Sequence, residues 1–305
     1  MIPQTKSTFI NRTKSLPVRE PTDEEFDIFS KLVLTELGLK WTGDKKYLLY
    51  ARLQRRLQSL KLTTFRDYHD YLQNQNNSVE LQQLFNAVTT TKTGFYREKQ
   101  HFDFLRQEIF PEMKKAMIHK RKKLRFWSAG CSCGEEAFNL AIEAYDFLGT
   151  QLTSDGGLRI LASDVNTSVL ESAEKGEYSF EHVSTVPEEL RDRYFESSPS
   201  LQKGNYLIKS NIRKLIQFRH FNLMASEYPI ATKFQLIFCR NVLYYLSSER
   251  REQLLNRLVS HLDEQGWLVL GITESGYRLN GMQKLSYCIY QKNNGNNTGR
   301  NRNNC

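Results

Sequence analysis

Three short segments of the sequence carry residues whose types and spacing can do chemistry. The first, Ala129-Gly130-Cys131-Ser132-Cys133-Gly134-Glu135-Glu136, places glycines and small side chains just ahead of two carboxylates. Small residues let a backbone approach a ligand closely, and Glu135 opens the helical pattern that follows. The second, Ala162-Ser163-Asp164, ends a β-rich run in a single acid positioned to hold ribose hydroxyls. The third is Phe238-Cys239-Arg240-Asn241-Val242-Leu243-Tyr244-Tyr245, again at the end of an apolar run. Each feature also has a plain structural explanation, since a small-residue turn is often only a turn and an aspartate after a strand often caps a helix. Asp164 follows Gly130 by 34 residues, whereas a dinucleotide site places its acid about 20 residues beyond the glycine loop. Cys131 and Cys133 interrupt any G-x-G-x-x-G pattern, and there is no GxxxxGK[ST] phosphate loop.

Other chemistries have less to work with. Five cysteines (Cys131, Cys133, Cys239, Cys288, Cys305) are odd in number and irregularly spaced, so they read as reduced thiols rather than a disulfide framework or a zinc site. No metal is expected. The six histidines (His69, His101, His119, His182, His220, His261) are scattered and read as structural or surface residues.

The elements that must position these segments follow from periodicity. Thr22-Asp23-Glu24-Glu25 is a capping-box pattern ahead of Phe26, Phe29, Leu32, Val33 and Leu37 at helical spacing. Further helices are expected at about 44–60, 64–73 and 79–89, with Gln73–Ser78 a polar connection. From residue 98 a helix leads through the basic run Lys114–Lys123 into strands at 124–129, 159–163, 216–221, 234–239, 267–272 and 285–291. Helices at 135–147, 167–175 and 247–262 alternate with them. That alternation predicts an α/β fold with a doubly wound, Rossmann-like parallel sheet. In such a sheet ligands bind at the carboxyl ends of the strands, where all three segments fall. Residues 180–215 break the alternation and read as an inserted lobe, a short helix (Pro187–Tyr194) plus a β-hairpin about Gly204-Asn205. Residues 1–20 form a polar, basic leader without the apolar core of a signal peptide, expected to be disordered, as is the Asn/Gly/Arg-rich tail 293–305. The domains expected are thus a small all-helical one, 21–92, and an α/β one, 93–292. No run is long and apolar enough to span a membrane, and a cytoplasmic protein is expected.

With 43 basic and 34 acidic residues the chain carries +9, which suits an acidic partner: nucleic acid, anionic lipid or a carboxylate-rich protein. On helix 44–60, Tyr50, Leu53, Leu57 and Leu60 share one side, and Lys45, Arg52, Arg55 and Arg56 gather on the other. A solvated face explains such a cluster as well as a docking surface does.

Four segments, in register over about residues 25–291, resemble the chemotaxis receptor methyltransferase (CheR) family. Thr89-Thr90-Thr91-Lys92-Thr93-Gly94-Phe95-Tyr96-Arg97-Glu98 is similar to that family's TTN-x-T-x-FFRE, and Phe126–Glu136 to its WSAA-x-S-x-GEE. Ala162-Ser163-Asp164-Val165 with Val169-Leu170 is similar to its ASDI…VL, and Ile237–Val242 with Tyr245 to its IFCRNV-x-x-Y. The chain departs at Thr91, Gly94, Cys131, Cys133, Gln235 and Gly271-Ile272-Thr273-Glu274. The resemblance implies a class I S-adenosylmethionine-dependent methyltransferase domain that esterifies glutamates on chemoreceptor helices and so sets sensory adaptation. It implies that Thr91, Thr93, Arg97, Glu135, Asp164, Asn222, Leu223, Arg240 and Asn241 contact S-adenosylmethionine and that Arg97 and Tyr245 lie where the methyl is transferred. It gives the basic set Lys45, Arg52, Arg55 and Arg56 a role against the acidic helical bundle of a chemoreceptor, with a monomeric enzyme, no nucleic acid and no membrane insertion. Two alternatives remain. A nucleic-acid methyltransferase suits the charge, but an amino-methylating enzyme carries [DN]-P-P-[YFW] where this chain reads Asn241-Val242-Leu243-Tyr244, and a cytosine-methylating one needs Pro-Cys where it reads Phe238-Cys239. A non-catalytic, cofactor-binding signalling module is kept open by Thr91 and Cys133.

Overall fold

A computed structural model describes residues 17–74, 78–154, 156–197 and 204–293. Most of the expected leader, the tail beyond residue 293 and the middle of the polar connection Gln73–Ser78 lie outside the described residues. The chain divides into two compact units, one with residues up to Leu32 plus Trp41–Val88, the other with Val33–Lys40 plus Thr89 onward. The change between them thus falls at Val88/Thr89 rather than after residue 92, and an eight-residue stretch near residue 36 groups with the second unit.

The first unit is helical: α1 (Asp23–Leu37), α2 (Lys46–Ser59), α3 (Phe65–Asn74) and α4 (Ser78–Val88). The capping box forms as the sequence predicts. Glu25 N–H donates to Thr22 Oγ1 at 3.2 Å and Thr22 N–H to Glu25 Oε2 at 2.8 Å, pairing two amides the helix itself cannot satisfy. The apolar period of α2 buries Leu49, Leu53 and Leu57, and Phe29 stacks on Tyr68 with ring centroids 5.9 Å apart.

In the second unit, α5 (Gln100–Phe104), a π-turn (Leu105–Ile109) and α6 (Phe110–Lys120) lead into β1 (Leu124–Ala129). Then follow α7 (Glu135–Leu148), α8 (Thr150–Thr153), β2 (Leu158–Asp164), α9 (Thr167–Lys175), β3 (Glu177–Ser179), α10 (Phe180–Val183), α11 (Glu188–Tyr194), β4 (Phe195–Glu196), β5 (Asn205–Ile208), α12 (Ser210–Arg213), β6 (Ile216–His220), β7 (Phe234–Cys239), α13 (Ser248–His261), β8 (Leu262–Leu270), β9 (Met282–Ser286) and β10 (Ile289–Lys292). The main sheet has seven strands in the order β6-β2-β1-β7-β8-β10-β9. Its first five strands are parallel and β10 and β9 are antiparallel additions. Both faces are covered. Phe126, Leu236 and Phe238 point into one core, shared with α6 and α7, while Trp127, Ile237 and Cys239 point into the other, against α13. Continuous burial along β1 and β7 is the signature of a sheet enclosed on both sides. The order reverses between β1 and β7, so the ligand crevice of this fold lies at the carboxyl ends of β1, β2, β6 and β7. Among the described residues no helix is long and apolar enough to cross a membrane.

Three local expectations are corrected. The strand expected at 285–291 is two strands, β9 and β10, that turn at Tyr287 and Cys288, both at positive φ (23° and 67°). The strand expected at 267–272 starts at Leu262, because a bulge opposite Phe234/Leu236 absorbs Asp263–Gly266, with Gln265 at φ 60°. The lobe expected at 180–215 begins at β3, and its sheet has three antiparallel strands in the order β3-β5-β4 rather than a hairpin alone.

Candidate active site

The turn after β1 is built to be tight. Gly130, Ser132 and Gly134 all take positive φ (78°, 49°, 92°). A Cβ on Gly130 would sit 2.8 Å from Val242 Cγ2, and one on Gly134 would sit 2.8 Å from Ala173 Cβ. Glycine is therefore required at both places for space as well as for torsion. The turn is bonded to the end of β2: Gly130 and Cys131 N–H donate to Ser163 O at 2.8 and 2.9 Å, and Ser132 N–H donates to Asp164 Oδ2 at 2.9 Å. Asp164 Oδ1 accepts from Asn166 N–H at 2.9 Å. Burial pushes the Asp164 carboxyl up, and the amides of Asn166 and Ser132 oppose it without cancelling it.

Glu135 is poorly satisfied in the crevice. It is 0% exposed, and among the described residues neither carboxylate oxygen has a well-formed hydrogen bond. The nearest cationic candidate is His182 of α10, with Nδ1 3.4 Å from Oε1. Burial holds the Glu135 carboxyl above its ordinary value. One helical turn on, buried Asn139 also has an unpartnered amide. A carboxylate buried without a cation is costly, so the site is complementary to a positive ligand group. The lobe reaches the same turn through Tyr178, whose hydroxyl donates to Cys133 O at 2.7 Å.

The segment Thr89–Lys99 crosses these strand ends. Asn166 Nδ2 donates to Thr89 Oγ1 at 2.9 Å, and Ser132 Oγ donates to Thr91 O at 2.9 Å. Thr91 is exposed and Thr93 half-buried. Arg97 is exposed, with Nη1 donating to Lys92 O at 3.0 Å. Its two neighbours, Tyr96 and Glu98, both take left-handed φ (54° and 56°), a conformation costly for such residues. Each is held by its side chain. Tyr96 O–H donates to Glu143 Oε1 at 2.6 Å. Glu98 accepts from Asn241 Nδ2 at 3.1 Å, Arg240 Nη2 at 3.2 Å and Ile272 N–H at 3.1 Å. Burial raises the Glu98 carboxyl, but those three donors outweigh it and keep it below the ordinary range.

The β7 end completes the arrangement. The Arg240 side chain is sealed: it donates to Glu136 at 3.3 Å, to Glu98 and to Arg97 O, and it lies over Phe102 and Phe238 at 5.6 Å. Asn241 takes φ 61°. The buried Glu274 carboxylate accepts from Leu243 N–H at 2.7 Å, Gly271 N–H at 2.8 Å and Asn241 N–H at 3.0 Å, gripping the backbone that leads to Tyr245. Tyr244 O–H donates to Tyr245 Oη at 2.9 Å. Just past β6, Asn222 Oδ1 accepts from Met224 N–H at 2.8 Å and its Nδ2 donates to Glu36 O at 2.6 Å, while Leu223 is buried. Among the described residues no group of three or more His, Cys, Asp or Glu is placed to hold a metal ion.

Residues 91–289 match the family described as the CheR methyltransferase SAM binding domain, and residues 24–89 match the CheR methyltransferase all-alpha domain. The chain belongs to the CheR methyltransferase family. It is similar to the chemotaxis protein methyltransferase of Borreliella burgdorferi (31% identical, covering 89% of this chain and 95% of that one) and to chemotaxis protein methyltransferase 2 of Pseudomonas aeruginosa (33%, covering 83% and 87%). It is also similar to the chemotaxis protein methyltransferase of Escherichia coli (33%, covering 83% and 84%). As a CheR-family protein it is an S-adenosylmethionine-dependent methyltransferase of chemotaxis, built on the class I sheet. The crevice fits that cofactor: the buried Glu135 carboxylate suits an ammonium, and the half-buried Asp164 carboxylate suits a ribose diol.

Of the residues the family resemblance points to, the second unit brings Thr91, Asp164, Glu135, Arg97, Arg240, Asn241 and Tyr245 to adjoining strand ends. Asn222 and Leu223 lie just past the end of the neighbouring strand β6. The Arg240 side chain bonds Glu136, Glu98 and Arg97 O through its Nη atoms, while its buried Nε has no partner among the described residues. Glu98, Glu136, Glu274 and Tyr244 were not singled out by sequence reasoning, although all stand inside or beside the quoted motifs. The basic set lies in the first unit, and it is not one uniform face. Arg56 pairs with buried Glu80 through Nε–H at 2.9 Å and a second, shorter bond, and Arg52 donates to Val88 O. Lys45 ends the 3-10 turn Gly43–Lys45, ahead of α2. Arg55 is exposed.

Proposed function

We propose that the protein forms methyl esters on glutamate side chains of a chemoreceptor's cytoplasmic helices, acting in the cytoplasm as a monomer to set sensory adaptation. The observation that carries this reading is the exposed Arg97 guanidinium, whose flanking residues Tyr96 and Glu98 are fixed by Glu143 and by Asn241, Arg240 and Ile272. The bound cofactor supplies a methyl group on a positively charged sulfur, so that a carboxylate oxygen gains the methyl while sulfur keeps the electron pair of the broken bond. A glutamate with pKa about 4.3 is already ionised at neutral pH, and no protein group has to remove a proton.

The chain's residues then have positioning work to do. Arg97 presents a planar fork of donors that matches a carboxylate. Its strained flanks, fixed by Glu143 and by Glu98, hold that fork in one place, and orientation alone can contribute several kcal/mol to such a reaction. Tyr245 supplies a hydroxyl to the same acceptor. Glu135 takes the cofactor's ammonium and Asp164 its ribose. Asn222 and Leu223 border the adenine, and Thr91, Thr93, Asn241 and the Arg240 backbone complete the wall. In the first unit, Arg55 and Lys45 meet the acidic receptor bundle, while Arg56 and Arg52 serve mainly to hold α2.

Arg97→Ala tests the reading. Turnover on receptor cytoplasmic fragments should fall by about tenfold or more, and Tyr245→Phe should cost less. Wild-type turnover in Arg97→Ala would refute this geometry.

A further inference from the structure

The inserted lobe meets the turn after β1 at two side chains, and they differ in how firmly they are held. Tyr178 of β3 is 5% exposed, and its hydroxyl is fixed on Cys133 O at 2.7 Å. His182 of α10 has a side chain 53% exposed, and its Nδ1 stands 3.4 Å from Glu135 Oε1. The imidazole lies against the Tyr178 ring, with centroids 6.4 Å apart and planes 29° apart. Glu135 itself has no surface open to solvent, so no ligand reaches its carboxylate unless a neighbour moves. Of these two rings, Tyr178 is buried and tied down, while His182 already stands half in solvent.

A separation of 3.4 Å lies beyond a good N–H···O bond, so the imidazole covers the carboxylate without satisfying it. A contact between a buried carboxylate and a half-exposed ring is also cheap to break. A ligand ammonium forms charge-assisted bonds of about 2.7–2.9 Å to a carboxylate and meets its demand for a partner better. We propose that His182 is a specificity-determining residue of the cofactor site: its ring is the gate over Glu135, and only a ligand that carries an amino group gains by turning it out. This rests on the reading of Glu135 as the acceptor for the cofactor's ammonium. A ligand that keeps the adenosine and the sulfur but lacks the amino-acid end leaves the gate shut, so its affinity is indifferent to His182. Because the ring stands on α10, filling the ammonium subsite is also felt in the lobe.

The test is calorimetric binding to the full chain of two ligands, S-adenosylhomocysteine and methylthioadenosine, the second lacking the amino-acid group. His182→Ala truncates an exposed ring, so the variant should fold as wild type does. It should bind S-adenosylhomocysteine about twofold to fivefold more tightly, the contact to Glu135 no longer having to be broken. Its affinity for methylthioadenosine should stay at the wild-type value. In a Glu135→Gln background the same substitution should change neither affinity, since both residues act through one contact. Unchanged or weaker S-adenosylhomocysteine binding in His182→Ala, an equal gain for both ligands, or a gain that survives in Glu135→Gln would overturn the gate. Glu135→Gln alone separates the two readings. If it weakens S-adenosylhomocysteine, the ammonium assignment stands whatever His182 does; if it binds as wild type, that assignment falls and the gate with it.

Discussion

Replacing Glu135 by glutamine should push stability and binding in opposite directions. The wild-type carboxylate is fully buried with no well-formed hydrogen bond to either oxygen among the described residues, and the His182 ring stands 3.4 Å away. In the ligand-free protein that charge is a liability, and removing it should stabilise the fold by about 1–2 kcal/mol. For a chain of this size that is a rise in Tm of roughly 2–6 °C. With ligand the balance reverses. A charge-assisted bond to an ammonium contributes about 1.5–3 kcal/mol, so S-adenosylhomocysteine should bind roughly 10- to 150-fold more weakly to the variant. The pH dependence has a definite sign. Burial holds the folded carboxyl above its ordinary value near 4.5, so between those two values the folded protein binds a proton that the unfolded chain has released. Wild-type stability, measured against Glu135→Gln without ligand, should therefore rise as pH falls through that window. Ligand affinity should fall over the same window, because the ionised form is the one that pairs. Thermal unfolding and calorimetry of both proteins decide the matter. A variant that is less stable when free, or that binds S-adenosylhomocysteine as wild type does, would refute the assignment of Glu135.

Asp164→Asn should weaken S-adenosylhomocysteine by about tenfold in calorimetry, since one acceptor oxygen remains for the Ser132 or Asn166 amide and the charge toward the ribose is lost; unchanged affinity would remove Asp164 from the site. The basic residues of the first unit should separate by role. Arg56→Ala takes the Arg56 guanidinium from the buried Glu80 carboxylate, which keeps its bond from Tyr68 O–H at 2.8 Å, and should cost about 2–3 kcal/mol in denaturant unfolding, less than a fully buried pair because Arg56 is partly exposed. Arg55→Glu should leave stability within about 0.5 kcal/mol and raise the receptor KM severalfold at low salt, an effect that added salt should erase.

The sequence made the parallel sheet legible because β1, β2 and β7 are short runs rich in large apolar residues, separated by clear helical periods. Asp164 and the small-residue turn could be placed at strand ends for the same reason. The β9–β10 turn was hidden because Tyr287 and Cys288 adopt left-handed backbone without the Gly, Asn or Asp that normally signals it. β3 was hidden because three residues are too few to show a period. The network of Glu98, Glu136, Glu274 and Arg240 joins residues up to 174 positions apart, and no local pattern reports such a pairing. On α2, helical periodicity showed which way the arginines point but not that Val88 O and Glu80 lie there to receive two of them.

The most direct test of the account gives the enzyme S-adenosylmethionine labelled in the methyl group, with a chemoreceptor cytoplasmic fragment, RNA and DNA as separate acceptors. The account predicts label on the receptor fragment alone, released by mild base as methanol and absent when the acceptor glutamates are replaced by alanine. Base-stable label, label on nucleic acid, or bound cofactor with no transfer to any acceptor would contradict it.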